Sequence, residues 1–316
     1  MGRPPKRRLP VTAKVAAAGT ARPAGPAGAS KKAAAQASLK HTQALISHFH
    51  TLNKQLDQAR RDGRDADVRR IEAELDAMGG LQAYQRASLK GGDLRKGWGA
   101  TGKWVLPFLR AEHAERKVAA ADSARFRLRL LDVGAITGET YERHAGFLDV
   151  TSIDLNSQSP KVTKQDFFER PLPASGADRF EIVCLSLVVN YVGDPAARGE
   201  MIRHSRRFLV PRGLLYIVLP LPCIANSRYL THEHFVALVA SLHLELVEYH
   251  HASKLAFYLF RRVDAAAGSD GDGDGIGNGN GGGTAGKESS RKARPTFRKQ
   301  ILREGGGHNN FAIVLE

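Results

Sequence analysis

The sequence predicts an α/β fold, a doubly wound, Rossmann-like parallel sheet preceded by an N-terminal helical hairpin. Three observations predict it. LDVGAITGE (131–139) runs an apolar strand into a glycine-containing turn. About 20 residues later TSIDLN (151–156) is a second apolar run that ends on a carboxylate, the spacing of a nucleotide-binding βαβ unit. From residue 126 onward, strand-like runs alternate with helix-like ones, as in a parallel sheet.

Taken in order, residues 1–37 are rich in Ala, Pro, Gly and Lys without apolar periodicity and read as a disordered basic arm. Its GRPPKRR (2–8) resembles a lone AT-hook core but reads better as a basic localisation patch. Residues 38–94 read as an accessory segment built on a helical hairpin. Leu45, Phe49, Leu52 and Leu56 form one stripe, and Val68, Ile71, Leu75 and Met78 the next, with Gly63 as the turn between them. The paired glycines of GGLQAYQ (79–85) close the second helix. His41, His48 and His50 lack metal-site spacing.

The sheet domain is expected over 95–316. A helix over 102–115 carries Trp104, Leu106 and Phe108 around Pro107. Strands follow at 126–133, 149–154, 162–166, 180–186, 213–219 and 244–250, with helices in the gaps, notably 196–209 and 231–242, the latter capped by Thr231. FEIVCLSLV and GLLYIVLPL are apolar almost throughout, as central strands covered on both faces are. KLAFYLFRR (254–262) alternates like a strand. A Gly/Asp/Ser tract at 264–296, with ten glycines from Gly268 to Gly286, reads as a disordered insertion before a last strand at 309–316. DGDGDG (270–275) puts acids where a calcium loop would, but Gly281 stands where the loop needs Glu, so no metal is expected.

The chain has 316 residues and a formal charge of +15, and nine Lys/Arg with no acid lie in residues 1–40. Such a tail suits a nuclear or nucleolar address, contact with a polyanion such as RNA, or both. No run reaches the ~18–20 apolar residues of a membrane span. MGRPPKRRLP does not read as a secretory signal, and the two cysteines, Cys184 and Cys223, provide neither a disulfide framework nor a zinc site.

The first turn narrows the chemistry. A glycine turn and a ribose acid leave dehydrogenases, methyltransferases and other nucleotide binders open. A dinucleotide site needs G-x-G-x-x-G to seat a pyrophosphate. Here the turn is G-A-I-T-G, with Ala135 at the second glycine's place and the Glu139 carboxylate directly after Gly138. S-adenosylmethionine (SAM) has no phosphate and is cationic, so it tolerates this turn. Gly134 would then pass close to the cofactor, Asp154 would accept from its ribose, and Asp132 would balance its charge unless it caps a helix. In KQDFFE (164–169), Asp166 would meet the adenine amino group, with Phe167 or Phe168 stacking on the ring or simply buried. In LSLVVNYVGDP (185–195), Ser186 and Leu187 would line the floor, and Asn190 and Tyr191 would stand beside the methyl acceptor. Arg95, Lys96 and Lys103, interleaved with Trp98 and Trp104, are candidates for RNA contact.

LDVGA, SIDLN, QDFFERPLP, LSLVVNYVGDPAARGE, LPCIANSRYL and GGGHNNFAIVL, in that order and preceded by GGLQAYQRASLKGG, make the chain similar to the fungal 25S rRNA adenine-N(1) methyltransferase family. The similarity covers about 79–262 and 297–316. It implies a class I SAM-dependent methyltransferase sheet and a nucleolar enzyme that methylates N1 of one adenine in large-subunit rRNA or a pre-ribosome, with Gly134 and Asp154 on the cofactor. No obligatory catalytic base is implied. Animal relatives that bind SAM as regulatory sensors supply the alternative reading.

Overall fold

The computed structural model describes residues 62–80, 98–120, 122–157, 159–263 and 296–316 and, less continuously, positions between 44 and 60 and Ala83. The basic arm, Arg95, Lys96, the side chain of Trp98 and the tract at 264–295 lie outside the described residues. The described residues belong to one compact unit, His41–Glu316.

The hairpin's second helix, α1 (Asp65–Ala77), follows helical positions between 44 and 60. Leu52, Leu56, Ala59 and Ile71 form its small core, with Val68, Leu75 and Met78 packed around them. Gly63, at φ +66°, makes the turn, and Gly79 and Gly80 both hold positive φ at the end of α1.

Helix α2 (Trp98–Ala119) leads into the sheet and is longer than the expected 102–115, continuing through Pro107. The strands are β1 (Leu128–Val133), β2 (Leu148–Asp154), β3 (Thr163–Lys164), β4 (Phe180–Ser186), β5 (Leu209–Pro220), β6 (Leu244–His251) and β7 (Leu255–Arg262). They form one sheet in the order β3-β2-β1-β4-β5-β7-β6. The expected α/β, Rossmann-like class I arrangement is therefore present. The sheet is not wholly parallel, however: β7 runs antiparallel to both β5 and β6. Only the three residues 252–254 join β6 to β7, far too few for the crossover that a parallel neighbour requires.

Helices α3 (Pro195–Arg207), the short α4 (Pro222–Ala225) and α5 (His232–Ala240) are the further helices among the described residues. Thr231 caps α5 as expected, its hydroxyl accepting from the His234 N–H at 3.1 Å. Helices were expected in every gap, but among the described residues the stretches between β1 and β4 carry only the short 3₁₀ turns Glu142–His144 and Gly176–Asp178. Strand β5 starts four residues before the expected 213. Pro211 and Gly213 lie at a bulge where the β4–β5 register shifts. Strand β3 shrinks to two exposed residues at the sheet's edge, a common way to blunt an edge.

Alternate side chains divide between two cores, as the period of a strand requires. Ile182, Cys184, Leu214, Tyr216 and Val218 face Val105 and Leu109 of α2. Val183, Leu185, Leu215, Ile217 and Leu219 face Ile202 of α3, Phe235 and Leu238 of α5, and Phe311, Ile313 and Leu315. Residues 309–316 are thus not a sheet strand. They form an extended cover on the α3 side, with Phe311–Leu315 all buried. Their backbone is satisfied off the sheet: the Val314 N–H donates to Pro195 O at 2.9 Å, and Arg198 Nη1 donates to Ala312 O at 2.6 Å. Gly199 permits this contact, since a Cβ there would lie 1.9 Å from Val314 O.

Candidate functional site: the carboxyl edge of β1, β2 and β4

Parallel strands place their C-terminal ends on one edge, and open α/β sheets bind ligands there. Asp132 sits beside Ser152 and Cys184 on the neighbouring strands, and Val133 beside Ile153. The chain then turns at Gly134, where φ is +75° and a Cβ would strike Val188 Cγ2 at 2.6 Å. Both the Gly134 and Ala135 N–H groups donate to Ile153 O, at 2.8 and 3.1 Å, so the turn is pinned to the end of β2. Only glycine fits this position, for conformational and steric reasons together.

Asp154 ends β2. Its Oδ1 accepts the Asn156 N–H at 2.8 Å, and its carbonyl accepts the Gln165 N–H at 2.9 Å, which ties the start of the next segment to the same edge. Burial pushes its carboxyl pKa upward, against the Asn156 hydrogen bond, which lowers it. Asp132 lies deeper. It is 6% exposed, and burial alone pushes its pKa up to about 7. Beside it, the Tyr141 hydroxyl lies 3.5 Å from Cys184 Sγ, and Tyr216 Oη donates to Thr101 O at 2.6 Å. A buried carboxyl in this setting gains from a cation placed above it.

Asp166 follows β3 half-buried, and its Oδ1 accepts the Phe168 N–H at 2.8 Å. The Phe167 ring cannot stack on a ligand here. It is 3% exposed and packs edge-on against His204, with Phe208 on another side. Its neighbour Phe168 is the exposed member of the pair. The expectation for Phe167 is corrected accordingly, because the core side of the α3 layer claims its ring. Trp104 is likewise a core residue, stacked on Tyr216 at 5.8 Å, and Lys103 is exposed.

Ser186 ends β4 half-buried. The next residue, Leu187, holds φ +60°, a strained value for a side chain of its size, and its N–H is fixed to Val218 O at 3.0 Å. Val188 then meets Gly134. Asn190 is half-buried and its Oδ1 is sealed from solvent with no hydrogen-bond donor among the described residues. Tyr191 is exposed. The structure thus brings Gly134, Asp154, Asp166 and Ser186 to one edge, with Asp132 beneath them and Asn190 and Tyr191 on the adjoining loop.

Sequence reasoning missed two parts of this edge. Leu155 is 59% exposed directly after Asp154 and, with Lys164, Gln165, Asp166 and Glu169, lines an open hollow of ≈ 510 Å³. An apolar residue that follows a strand-ending acid was the available signal. The other is Arg198, fully buried on α3. Its guanidinium donates to Val192 O at 2.7 Å, Gly193 O at 2.9 Å and Ala312 O, and lies 4.4 Å above the Phe311 ring. It joins the loop that carries Asn190 and Tyr191 to the C-terminal cover. Nothing local in the sequence marks this.

Among solved structures, the chain is similar to a Burkholderia thailandensis 1,6-didemethyltoxoflavin-N1-methyltransferase with bound S-adenosylhomocysteine (16% identity, TM-score 0.38, 50% of this chain and 86% of that one). It is also similar to the N-methyltransferase NodS from Bradyrhizobium japonicum in complex with S-adenosylhomocysteine (18% identity, TM-score 0.34, 50% and 89%). Among curated proteins, a 25S rRNA (adenine(2142)-N(1))-methyltransferase of Saccharomyces cerevisiae is 34% identical over 60% of this chain and 54% of its own length. A 25S rRNA adenine-N(1) methyltransferase of Schizosaccharomyces pombe is 30% identical over 68% of this chain and 79% of its own. The match therefore spans about half the length of the first of these relatives. The family described as 25S rRNA (adenine(2142)-N(1))-methyltransferase, Bmt2, matches residues 69–313, which include every site position above, and this chain belongs to that family.

Proposed function

We propose that the chain is a SAM-dependent methyltransferase that acts on N1 of an adenine in large-subunit rRNA. The observation that carries the reading is the Gly134 turn pinned against Val188 and flanked by Asp154, within a family match that covers the whole sheet. The site suits the cofactor's parts. Gly134 makes the tight turn that ends β1 at this edge, Asp154 offers carboxylate acceptors for ribose hydroxyls, Leu155 offers apolar surface beside an adenine, and buried Asp132 favours a cation above it. SAM, when bound, supplies an electrophilic methyl group on a sulfonium.

The chain's own residues then align and exclude water. An unpaired adenine presents its N1 lone pair without losing a proton, so no general base is needed and positioning supplies the acceleration. Asn190, half-buried on the loop after β4, supplies an amide to read the exocyclic amino group next to N1, where guanine would present an oxygen. Tyr191 offers an exposed ring beside it. Bringing the base out of its helix costs a few kcal/mol, which binding of the flanking RNA must offset. The basic residues 1–40 support a nucleolar address and a role in ribosome biogenesis.

The test is methyl transfer from SAM to unmodified 25S rRNA by the full chain, with nucleoside analysis of the product. N1-methyladenosine is expected. SAM binding without transfer to rRNA would support the sensor reading instead. Deleting residues 1–37 should displace the protein from the nucleolus while SAM affinity stays unchanged.

A further inference from the structure

Further along the same edge, α4, α5, the end of β6 and Arg303 line a second, open hollow of ≈ 330 Å³. Its wall is aromatic. The Tyr249 ring on β6 lies 4.3 Å from His232, the first residue of α5, and Tyr249 is 44% exposed. Behind them the Tyr258 hydroxyl sits between two imidazoles, 3.1 Å from His232 Nδ1 and 2.9 Å from His251 Nε2. A hydroxyl has one proton, so it donates to one ring and accepts from the other. His232 Nε2 and His251 Nδ1 have no hydrogen bond among the described residues, so the pair has two outer ring nitrogens to offer. Burial lowers the His251 pKa, in keeping with a neutral ring. No metal-binding group of three ligands occurs among the described residues.

The surroundings suit a polyanion. Arg303 lines the hollow, held by Ser227 O and Leu230 O, and Arg228 and Lys299 lie on the neighbouring segments. The rim acid, Glu233, turns back to its own backbone N–H and the Thr231 hydroxyl, which hold its pKa low. Next to the hollow, Gly305–Gly307 form an exposed loop with no atom within 4 Å of where a Cβ would stand. Asn226 Nδ2 donates to Gly307 O and Arg228 Nη2 to Gly305 O, both at 3.1 Å, and His308 meets Asn226 at 2.9 Å. These bonds hold in shape a loop that buries little, and its bare backbone allows a chain of phosphates to approach closely.

Register sets the distance to the methyl-transfer site. Ser186 pairs with Val218, Val218 with Phe257, and Phe257 with His250. Three strand spacings amount to ~14 Å. We propose that this hollow holds one unpaired nucleobase of the substrate RNA, a few nucleotides from the target adenine, with Tyr249 stacking on the base and the 305–307 loop beside its backbone. This rests on the rRNA methyltransferase reading.

The test uses the full chain with Tyr249→Ala and Tyr249→Phe, measuring rRNA affinity, KM for rRNA, kcat and SAM affinity. Tyr249→Ala should weaken rRNA binding and raise KM about tenfold or more, the scale of a lost base stack, with kcat and SAM affinity near wild type. Tyr249→Phe, which keeps the ring, should restore binding. Wild-type rRNA affinity and KM in Tyr249→Ala would overturn the proposal while leaving the methyltransferase reading intact. So would loss of a protein partner with rRNA binding unchanged. If the wild-type chain binds rRNA through Tyr249 but transfers no methyl group to it, the hollow's hold on an RNA base stands, while its place beside a target adenine falls with the enzymatic reading.

Discussion

The substitution Asp132→Asn removes a titration that the fold makes costly. The carboxyl moves from 3.8 to about 7 because burial disfavours its charge. Between these values the folded protein keeps a proton that the unfolded chain has released. Stability therefore falls as pH rises through that window and levels off above about 7. About three pKa units correspond to a cost of about 4 kcal/mol at most once the group is ionised. The amide that replaces the carboxyl cannot ionise, so the variant should gain about 2–3 kcal/mol on wild type between about pH 5 and 8. Urea unfolding of both proteins at the two pH values measures this directly. The cofactor reading adds an opposite effect on binding. A cation above Asp132 favours the ionised form, so wild-type SAM affinity should rise with pH up to about 7, and the variant should bind weakly at every pH. Parallel stability profiles for the two proteins, together with a flat SAM affinity in wild type, would refute the assignment of Asp132.

Three further outcomes follow from the same geometry. Gly134→Ala places a Cβ 2.6 Å from Val188 at positive φ, so thermal unfolding should show a loss of about 1–3 kcal/mol, with SAM binding abolished. Asp154→Ala should leave the melting temperature nearly unchanged while calorimetry shows SAM affinity at least tenfold lower, the scale of lost charge-assisted hydrogen bonds. Arg198→Met keeps the buried stem but frees Val192 O and Gly193 O. Methyl transfer should slow at saturating rRNA with SAM affinity little changed, and equal losses in both would mean that Arg198 serves folding alone.

Much of the site's placement was legible because its signals are local. LDVG and SIDLN each encode a strand and the residue that ends it, and a parallel sheet puts such ends on one edge whatever else the chain does. Gly134 and Asp154 could therefore be placed together before any packing was known. Phe167 and Phe168 could not be told apart. They are adjacent and chemically identical, and only the approach of His204 and Phe208 from α3 decides which ring is buried.

The sequence alone determined the period-two and helical patterns, hence the α/β class, the order of its strands along the chain and the edge where a ligand would lie. Tertiary structure alone decided the reversal of β7, the conversion of 309–316 from a strand into a cover, the grip of Arg198 and the meeting of His232 with Tyr249 and His251. Each of these joins segments distant in the chain or on different elements. Hydrophobic pattern states only that a residue must be buried, whereas shape and hydrogen-bond demand across the whole molecule decide against what.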